Sequence, residues 1–254
     1  VKFGVWILQR LLAGIPYELY GSVARHTDTF LSDFDVCAYR CSIADLYERL
    51  QGQSRVLNLV KLERVKVPRI RVECTAGWRF DIVCMQEVQN GVFYTPRYYL
   101  SSLERRAIRL CKVALRDVEG LSSVLTELVV VCCLKYYPHK KGTDMSLLSF
   151  VLDVIKNTDF DQYAVTNSGF VSRTEGFDYN SSEVSCTISR EGKSPLVSID
   201  VYYPYHNLSI KFKNIKGLKA ACELPHSSIE CMGALNPISR RQDAVQKPTG
   251  PALI

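Results

Sequence analysis

Short runs of apolar residues, bounded by polar and turn residues, occur through much of the first ninety residues and predict a β-sheet. The runs are short and rich in β-branched, small and aromatic residues, and the triplet Thr-Ala-Gly at 75–77 supplies a turn between the last two. The predicted strands cover residues 17–20, 36–39, 56–67, 69–74 and 78–84. The pattern therefore indicates a mixed sheet with helices behind it.

Helical periodicity surrounds this sheet and dominates the later part of the chain. The predicted helices cover residues 3–12, 42–50, about 98–117, the apolar run after Gly120, the run beginning at 146 and a last amphipathic stretch before 223. Ser42 can cap the second of them. We therefore predict an α+β domain at 1–97 and a mostly helical domain at 98–235. Residues 236–254 contain three prolines and little to bury, which predicts a flexible tail.

The residues with the clearest chemistry lie near the start of the sheet. Because alternate side chains of a strand point to one face, Asp33 and Asp35 present two carboxylates together. Such carboxylates can share Mg²⁺ ions, and two ions can activate an attacking hydroxyl and neutralise a leaving pyrophosphate. Gly21 and Ser22 can form a tight turn that approaches phosphate oxygens. Asp81 lies in an apolar run, where a lone carboxylate needs a cation or a partner, so we expect it to join them.

Composition adds broad limits. The 254 residues are 47% hydrophobic without an apolar run long enough to cross a membrane, and the net charge of +6 is compatible with a nucleic-acid substrate. The ten cysteines form no Cys-x-x-Cys pair, which predicts reduced thiols in an intracellular compartment, mitochondrion or cytoplasm alike. Cys222, His226 and Cys231 are the best zinc candidate, but scattered buried thiols are the favoured interpretation.

The Gly-Ser pair, ten intervening residues and Asp-x-Asp resemble the signature of the DNA polymerase β-like nucleotidyltransferase superfamily. Further blocks narrow the resemblance to the terminal uridylyltransferases and the related cytoplasmic, Trf-type poly(A) polymerases. In chain order they are SDFDV, VPRIRVECTAGWRFDI, NGVFYT, KVALR, GLSSV and IDVYYPYHN, between Glu18 and about Ala221. The resemblance implies a polymerase β-like mixed sheet, a mostly helical poly(A)-polymerase-associated second domain and a cleft between the two.

The same resemblance implies roles for individual residues. Asp33, Asp35 and Asp81 would be the catalytic triad that holds two Mg²⁺ or Mn²⁺ ions, with UTP as the substrate. The implied nucleotide-binding residues are Gly21, Ser22, Lys112, Arg116 and Ser123 at the phosphates, Thr95 at the ribose, and Asp200, Tyr202, His206 and Asn207 at the base. A histidine before that asparagine accompanies UTP preference in some members, since it can hydrogen-bond a uracil carbonyl and crowd adenine.

Two departures from the family pattern leave alternatives open. Val124 replaces the aromatic residue that stacks under the base, a contact worth about 1–3 kcal/mol. Either another ring substitutes, with Tyr202 and Phe150 as the candidates, or nucleotide binding is weak. The loop before GLSSV is also short, which makes Arg109 a substitute for Lys112 or Arg116. A rival alignment nominates Lys135, His139 and Phe150 instead. In addition, Tyr94 stands where the family has asparagine.

These observations predict template-independent transfer of UMP from UTP to the 3′-hydroxyl of RNA, with release of pyrophosphate. The partners would be an RNA 3′ end, a nucleoside triphosphate and an RNA-processing or RNA-editing protein complex, with no membrane. A poly(A)-polymerase-like adenylyltransferase is the nearest alternative. An enzyme that joins nucleotides to each other, and an inactive scaffold that binds RNA or protein, are the others.

Overall fold

The computed structural model describes residues 2–30, 32–64, 68–75, 77–84, 100–137, 144–166, 168–173, 198–199 and 212–223. They fall into two compact units. The described residues up to Cys84 form the first unit, and those from Leu100 onward form the second. No helix within these ranges is both long enough and apolar enough to span a membrane.

A five-stranded sheet in the order β1-β2-β5-β4-β3 is the framework of the first unit. Its strands are β1 (Tyr17–Tyr20), β2 (Phe34–Ala38), β3 (Val56–Leu62), β4 (Arg69–Cys74) and β5 (Arg79–Cys84). β2 and β5 are parallel, and the other neighbouring pairs are antiparallel. The predicted α+β class with a mixed sheet is confirmed.

Alternation along the central strands gives this sheet one apolar face and one charged face. Phe34, Phe80 and Ile82 are at most 2% exposed and belong to a continuous core. Asp35 and Asp81 occupy the intervening positions and therefore lie on the opposite face. The alternation that predicts the strands thus also separates the core from the side chains with chemistry.

Among its described residues the first unit has three helices, α1 (Lys2–Leu11), α2 (Gly21–Ala24) and α3 (Ile43–Leu50). α1 buries Ile7, Leu8 and Leu11 in the core of the sheet's apolar face. α3 begins at the predicted cap, where the Ser42 hydroxyl accepts a hydrogen bond from the Asp45 backbone N–H at 3.1 Å.

The described part of the second unit contains helices and a small sheet. The elements are α4 (Ser102–Ala114), α5 (Ser123–Leu134), α6 (Asp144–Asn157), α7 (Ile215–Ala221), β6 (Tyr163–Thr166), β7 (Gly169–Ser172) and β8 (Ser198–Ile199). The apolar helix α5 packs against α4 and α6 in one core. β6 pairs with β7 and β8, so this unit is not purely helical in its described residues.

Two predicted elements of the second unit need correction. The arginine-rich helix ends at Ala114 rather than near residue 117, and the Leu115 N–H closes its last turn on the Cys111 carbonyl. Arg116 therefore does not share a helix with Lys112. The sequence pattern predicts no strand directly after α6, but Tyr163–Thr166 forms one because it finds partners in β7 and β8.

Candidate active site

Two predicted catalytic carboxylates meet across the parallel strands of the first sheet. Asp35 of β2 is in register with Asp81 of β5, and neighbouring strands lie about 4.8 Å apart. Asp33 immediately precedes β2, and its carboxylate is 32% exposed. The fold therefore brings residues that are 46 positions apart in the chain onto one charged face.

Gly21 packs directly against Asp35. Its φ of +66° lies in the left-handed region that favours glycine. A Cβ added at Gly21 would overlap the Asp35 carboxylate at Oδ2. Glycine is thus required here both by the backbone conformation and by the space that Asp35 occupies. Ser22 follows in α2 with only 8% exposure, and its carbonyl accepts a hydrogen bond from the Thr27 N–H at 2.9 Å.

Arginines from β4 and β5 contact the carboxylates. Arg71 lies opposite Asp81 in the antiparallel β4–β5 ladder and binds it through two hydrogen bonds, Nε to Oδ1 at 2.9 Å and Nη2 to Oδ2 at 3.1 Å. Arg69 Nε lies 3.6 Å from Asp81 Oδ2, and Arg79 Nε lies 2.7 Å from Asp33 Oδ1. The hydrogen bonds and the charge of Asp81 raise the pKa of Arg71. On the charged face, the negative charges of Asp33 and Asp81 are therefore neutralised by arginine guanidinium groups.

Tyr20 borders the same site from β1, where it is in register with Asp35. Burial, followed by the negative charges of Asp35 and Asp81, raises the pKa of Tyr20 well above its ordinary value. The phenol consequently stays neutral and can donate a hydrogen bond beside the carboxylates.

The donor set suits divalent metal by type and by register. Asp35 and Asp81 supply neighbouring carboxylate oxygens, which are the ligands that Mg²⁺ prefers, and the close fit of Gly21 fixes where Asp35 can lie. Within the described ranges, however, no three Asp, Glu, His or Cys side chains are arranged around one metal position. Arg71 and Arg79 hold Asp81 and Asp33 instead, so both guanidinium groups have to move for all three carboxylates to bind metal.

In the second unit, Lys112 is paired rather than open to solvent. Its Nζ donates to Glu127 Oε1 at 2.6 Å, and the two side chains are 6% and 1% exposed. Arg116 lies beyond the end of α4 and contacts its neighbour Asp117 at 3.4 Å. The two cations predicted to act together therefore have different surroundings, one inside the helical core and one at the surface.

Ser123 and Val124 form the first turn of α5, where the preceding Ser122 is the cap and accepts from the Leu125 N–H. Arg109 lies in α4, Lys135 follows α5, and Phe150 lies in α6. Phe150 contacts Tyr137 edge to face, with ring centroids 4.9 Å apart. The predicted residues outside the described ranges are Tyr94, Thr95, His139, Asp200, Tyr202, His206 and Asn207, and the zinc candidates His226 and Cys231.

Sequence reasoning missed the partners of the predicted residues. Arg71 on β4 and Asp81 on β5 both alternate with apolar residues, as Arg79 does. Pairing the two strands as an antiparallel hairpin could therefore have predicted the contact between Arg71 and Asp81. Glu127 is the one acidic residue of the apolar helix α5, and a buried carboxylate of this kind indicates a cationic partner. Both signals were present in the sequence.

The fold defined by this geometry is that of the terminal-uridylyltransferase and poly(A)-polymerase type of nucleotidyltransferase. The Cid1 poly(U) polymerase superposes with a TM-score of 0.57 and 16% identity, over 89% of this chain and 86% of that chain. Cid1 in complex with the UTP analogue UMPNPP gives a TM-score of 0.59 and 14% identity, over 86% and 82%. The GLD-2/RNP-8 complex gives a TM-score of 0.50 and 15% identity, over 69% of this chain and 74% of that chain.

Sequence comparisons add no closer relative. No protein-family model matches the chain, and no curated protein matches it either. The superpositions on the solved structures establish the shared fold, and because the sequence identities are low, the chemistry has to be argued from the site.

Proposed function

We propose that this protein is a template-independent RNA nucleotidyltransferase that transfers UMP from UTP to an RNA 3′-hydroxyl and releases pyrophosphate. One observation carries the proposal: Asp35 and Asp81 are in register on parallel strands, with Gly21 packed on Asp35. The fold is shared with the Cid1 poly(U) polymerase, one structure of which contains a UTP analogue, and this likeness supports UTP as the proposed substrate.

Asp33, Asp35 and Asp81 would hold two divalent ions, which supply activation of the attacking hydroxyl and charge neutralisation on the leaving pyrophosphate. Gly21 lets a tight turn approach the carboxylates, and the α2 backbone behind it would face the triphosphate. In the first unit the protein's own contribution is positioning and preorganised charge. Thr95, Ser123, Asp200, Tyr202, His206 and Asn207 are proposed nucleotide contacts, with His206 favouring UTP over ATP.

The test is extension of a labelled single-stranded RNA with each nucleoside triphosphate separately, in Mg²⁺ or Mn²⁺. We expect extension with UTP and none from an Asp33→Ala/Asp35→Ala double variant. Extension mainly with ATP would keep the reaction and replace uridylyl by adenylyl transfer. In that assay, His206→Ala should reduce the ratio of the extension rate with UTP to that with ATP. An unchanged ratio would refute the role of His206 in selecting UTP.

A second candidate is a scaffold with this fold that binds RNA or protein without catalysis. The observation in its favour is that Arg71 binds both oxygens of Asp81, while Val124 stands at the position of the stacking ring. If the wild-type protein binds RNA but extends it with no nucleotide in either metal, this second function replaces the first.

A further inference from the structure

The exposed face of α1 carries an aromatic and cationic cluster on the far side of the sheet from the carboxylates. Phe3, Trp6 and Arg10 are spaced by three and four residues, so they share one side of the helix. Phe3 is 49% and Trp6 is 37% exposed. Arg55, just before β3, completes the cluster. We call Phe3, Trp6, Arg10 and Arg55 the α1 patch.

The side chains of the α1 patch are stacked on one another. The Phe3 and Trp6 rings are 5.4 Å apart between centroids and only 16° from parallel. The guanidinium carbon of Arg10 lies 4.5 Å from the Trp6 ring centroid, and that of Arg55 lies 4.7 Å from it. Cation–π attraction therefore holds two positive charges beside an aromatic surface that is open to solvent.

A groove of about 230 Å³ adjoins the patch and is lined by Phe3, Trp6, Ile7, Arg55, Cys74 and Thr75. It is smaller than the roughly 300–1,000 Å³ of a small-molecule pocket. It therefore suits one planar group that enters from the surface and stacks on the rings, rather than an enclosed cofactor.

Charge selects the class of ligand. α1 contains no acidic residue, and neither do the segments 51–56 and 74–78 around the groove. Aromatic rings beside arginines, with no acidic side chain lining the groove, match the combination of bases and phosphates in single-stranded nucleic acid. A partner protein would need an acidic face with a complementary apolar group, and nothing in the patch requires that more specific arrangement.

The position of α1 separates this patch from the catalytic site. A Cβ added at Gly4 would touch Phe34 and Trp78, so the helix packs on the apolar face of the sheet. Asp35 and Asp81 lie on the other face. A strand bound at the α1 patch would consequently not be the reacting 3′ nucleotide.

We propose that the α1 patch is a second binding site for single-stranded RNA, in which a base enters the groove and stacks on the exposed Phe3 ring, which Trp6 supports, and phosphates contact Arg10 and Arg55. It holds nucleotides upstream of the 3′ end that the proposed transferase extends, and in that respect it rests on the proposed function. The binding itself is independent of the reaction.

The experiment measures the affinity of the full chain for a short labelled single-stranded RNA without nucleoside triphosphate. Because loss of one base–aromatic stack weakens binding by roughly 5- to 150-fold, we expect Phe3→Ala to raise Kd by about 10-fold. Trp6→Ala should also raise Kd by about 10-fold, because it removes the ring that holds Phe3, Arg10 and Arg55 in place. Leu57→Ala, at a residue that is 67% exposed in β3, is the matched control and should leave Kd unchanged.

The charge is tested by the double variant Arg10→Gln/Arg55→Gln. Loss of two phosphate contacts should reduce the slope of log Kd against log salt by about 1.4. Arg40→Gln, at an exposed arginine beyond the end of β2, should leave the slope unchanged. In wild-type protein, 4-thiouridine RNA should photo-crosslink to the peptide that contains residues 2–11, which is a measurement that needs no variant to fold.

Outcomes for the patch and for catalysis are separable. Asp35→Asn should stop extension and leave Kd unchanged, so loss of extension alone concerns the proposed function. Unchanged Kd in the Trp6, Phe3 and double arginine variants, or no RNA binding by the wild type, overturns the patch proposal. Self-association of the protein that Trp6→Ala abolishes while RNA affinity stays constant would also overturn it, because the patch would then bind protein.

Discussion

Asp35 and Asp81 stand next to each other on parallel strands although 45 residues separate them in the chain. If both carboxylates stabilise charge in the transition state, Asp81→Asn should lower RNA extension by at least about 100-fold, since several kcal/mol are lost at 1.36 kcal/mol per tenfold. It should also abolish any rise in Tm caused by Mn²⁺. Asp161→Asn, at an exposed aspartate of the second unit, is the control and should extend RNA normally.

Gly21 and Asp35 make a second testable relationship. Gly21→Ala places a methyl group on the Asp35 carboxylate and a side chain at a φ of +66°. We expect loss of extension, together with a stability cost of about 1–2 kcal/mol from the left-handed backbone. The measurements are RNA extension and urea unfolding.

Gly52→Ala provides the matched comparison for Gly21→Ala. Gly52 has a φ of +80° and nothing within 4 Å of an added Cβ, so it bears the same backbone cost without the clash. Equal activity losses in the two variants would contradict a specific role for the space between Gly21 and Asp35.

Local patterns explain why so much of the first unit was predictable. Short apolar runs located the strands, and the alternation of side chains along a strand separated Phe34 and Phe80 from Asp35 and Asp81. Ser42 was recognisable as a helix cap because its contact with Asp45 spans only three residues. The face on which each aspartate lies thus follows from the sequence alone.

Contacts between elements were not predictable to the same degree. The Arg71–Asp81 pair depends on strand register, and the Lys112–Glu127 pair depends on how α4 packs against α5. The end of α4 at Ala114 and the strand at Tyr163–Thr166 were also decided by partners elsewhere in the chain. Propensity alone does not contain that information.

Arg71 should compete with metal for Asp81. The bidentate pair is partly exposed, with side chains that are 48% and 13% accessible, so its strength is at most about 1 kcal/mol. Arg71→Gln should therefore tighten Mn²⁺ binding by roughly 2- to 5-fold, as measured by calorimetric titration without nucleotide. Arg40→Gln should bind Mn²⁺ as the wild type does. Weaker binding by Arg71→Gln would show instead that Arg71 orients Asp81 for the metal.

Alkaline pH should destabilise the second unit through its buried thiols. Burial raises the pKa of Cys132 to about 12 from an ordinary value of 9.0. The unfolded thiol loses its proton first, so its contribution is complete below pH 9 and is lost as pH rises towards 12. The free energy of unfolding should fall by up to about 1.4 kcal/mol per pH unit from this group.

Urea unfolding of wild-type and Cys132→Ala proteins between pH 9 and 11 tests this contribution. Burial also raises the pKa of Cys222 to about 12, so the variant should keep part of the pH dependence and lose the share from Cys132. Parallel pH profiles for the two proteins would contradict the prediction.

The Lys112–Glu127 pair separates a structural role for Lys112 from the nucleotide contact implied by the sequence. Lys112→Met removes the lysine that contacts Glu127, a carboxylate that is only 1% exposed, and should cost about 3–5 kcal/mol in urea unfolding. Lys112→Met/Glu127→Leu removes both charges and should recover most of that loss. Lys156→Met breaks the exposed Lys156–Glu223 pair and should cost less than about 1 kcal/mol.

The UTP affinity of the Lys112→Met/Glu127→Leu variant then tests whether Lys112 also contacts the nucleotide. If Lys112 only neutralises Glu127, the double variant should be stable and bind UTP with the Kd of the wild type, because the lysine Nζ is committed to the carboxylate at 2.6 Å. If Lys112 also reaches the triphosphate, the double variant should be stable but bind UTP more weakly. Failure of the double variant to regain stability would contradict the prediction that loss of the Lys112–Glu127 attraction causes the destabilisation, since the double variant has neither charge.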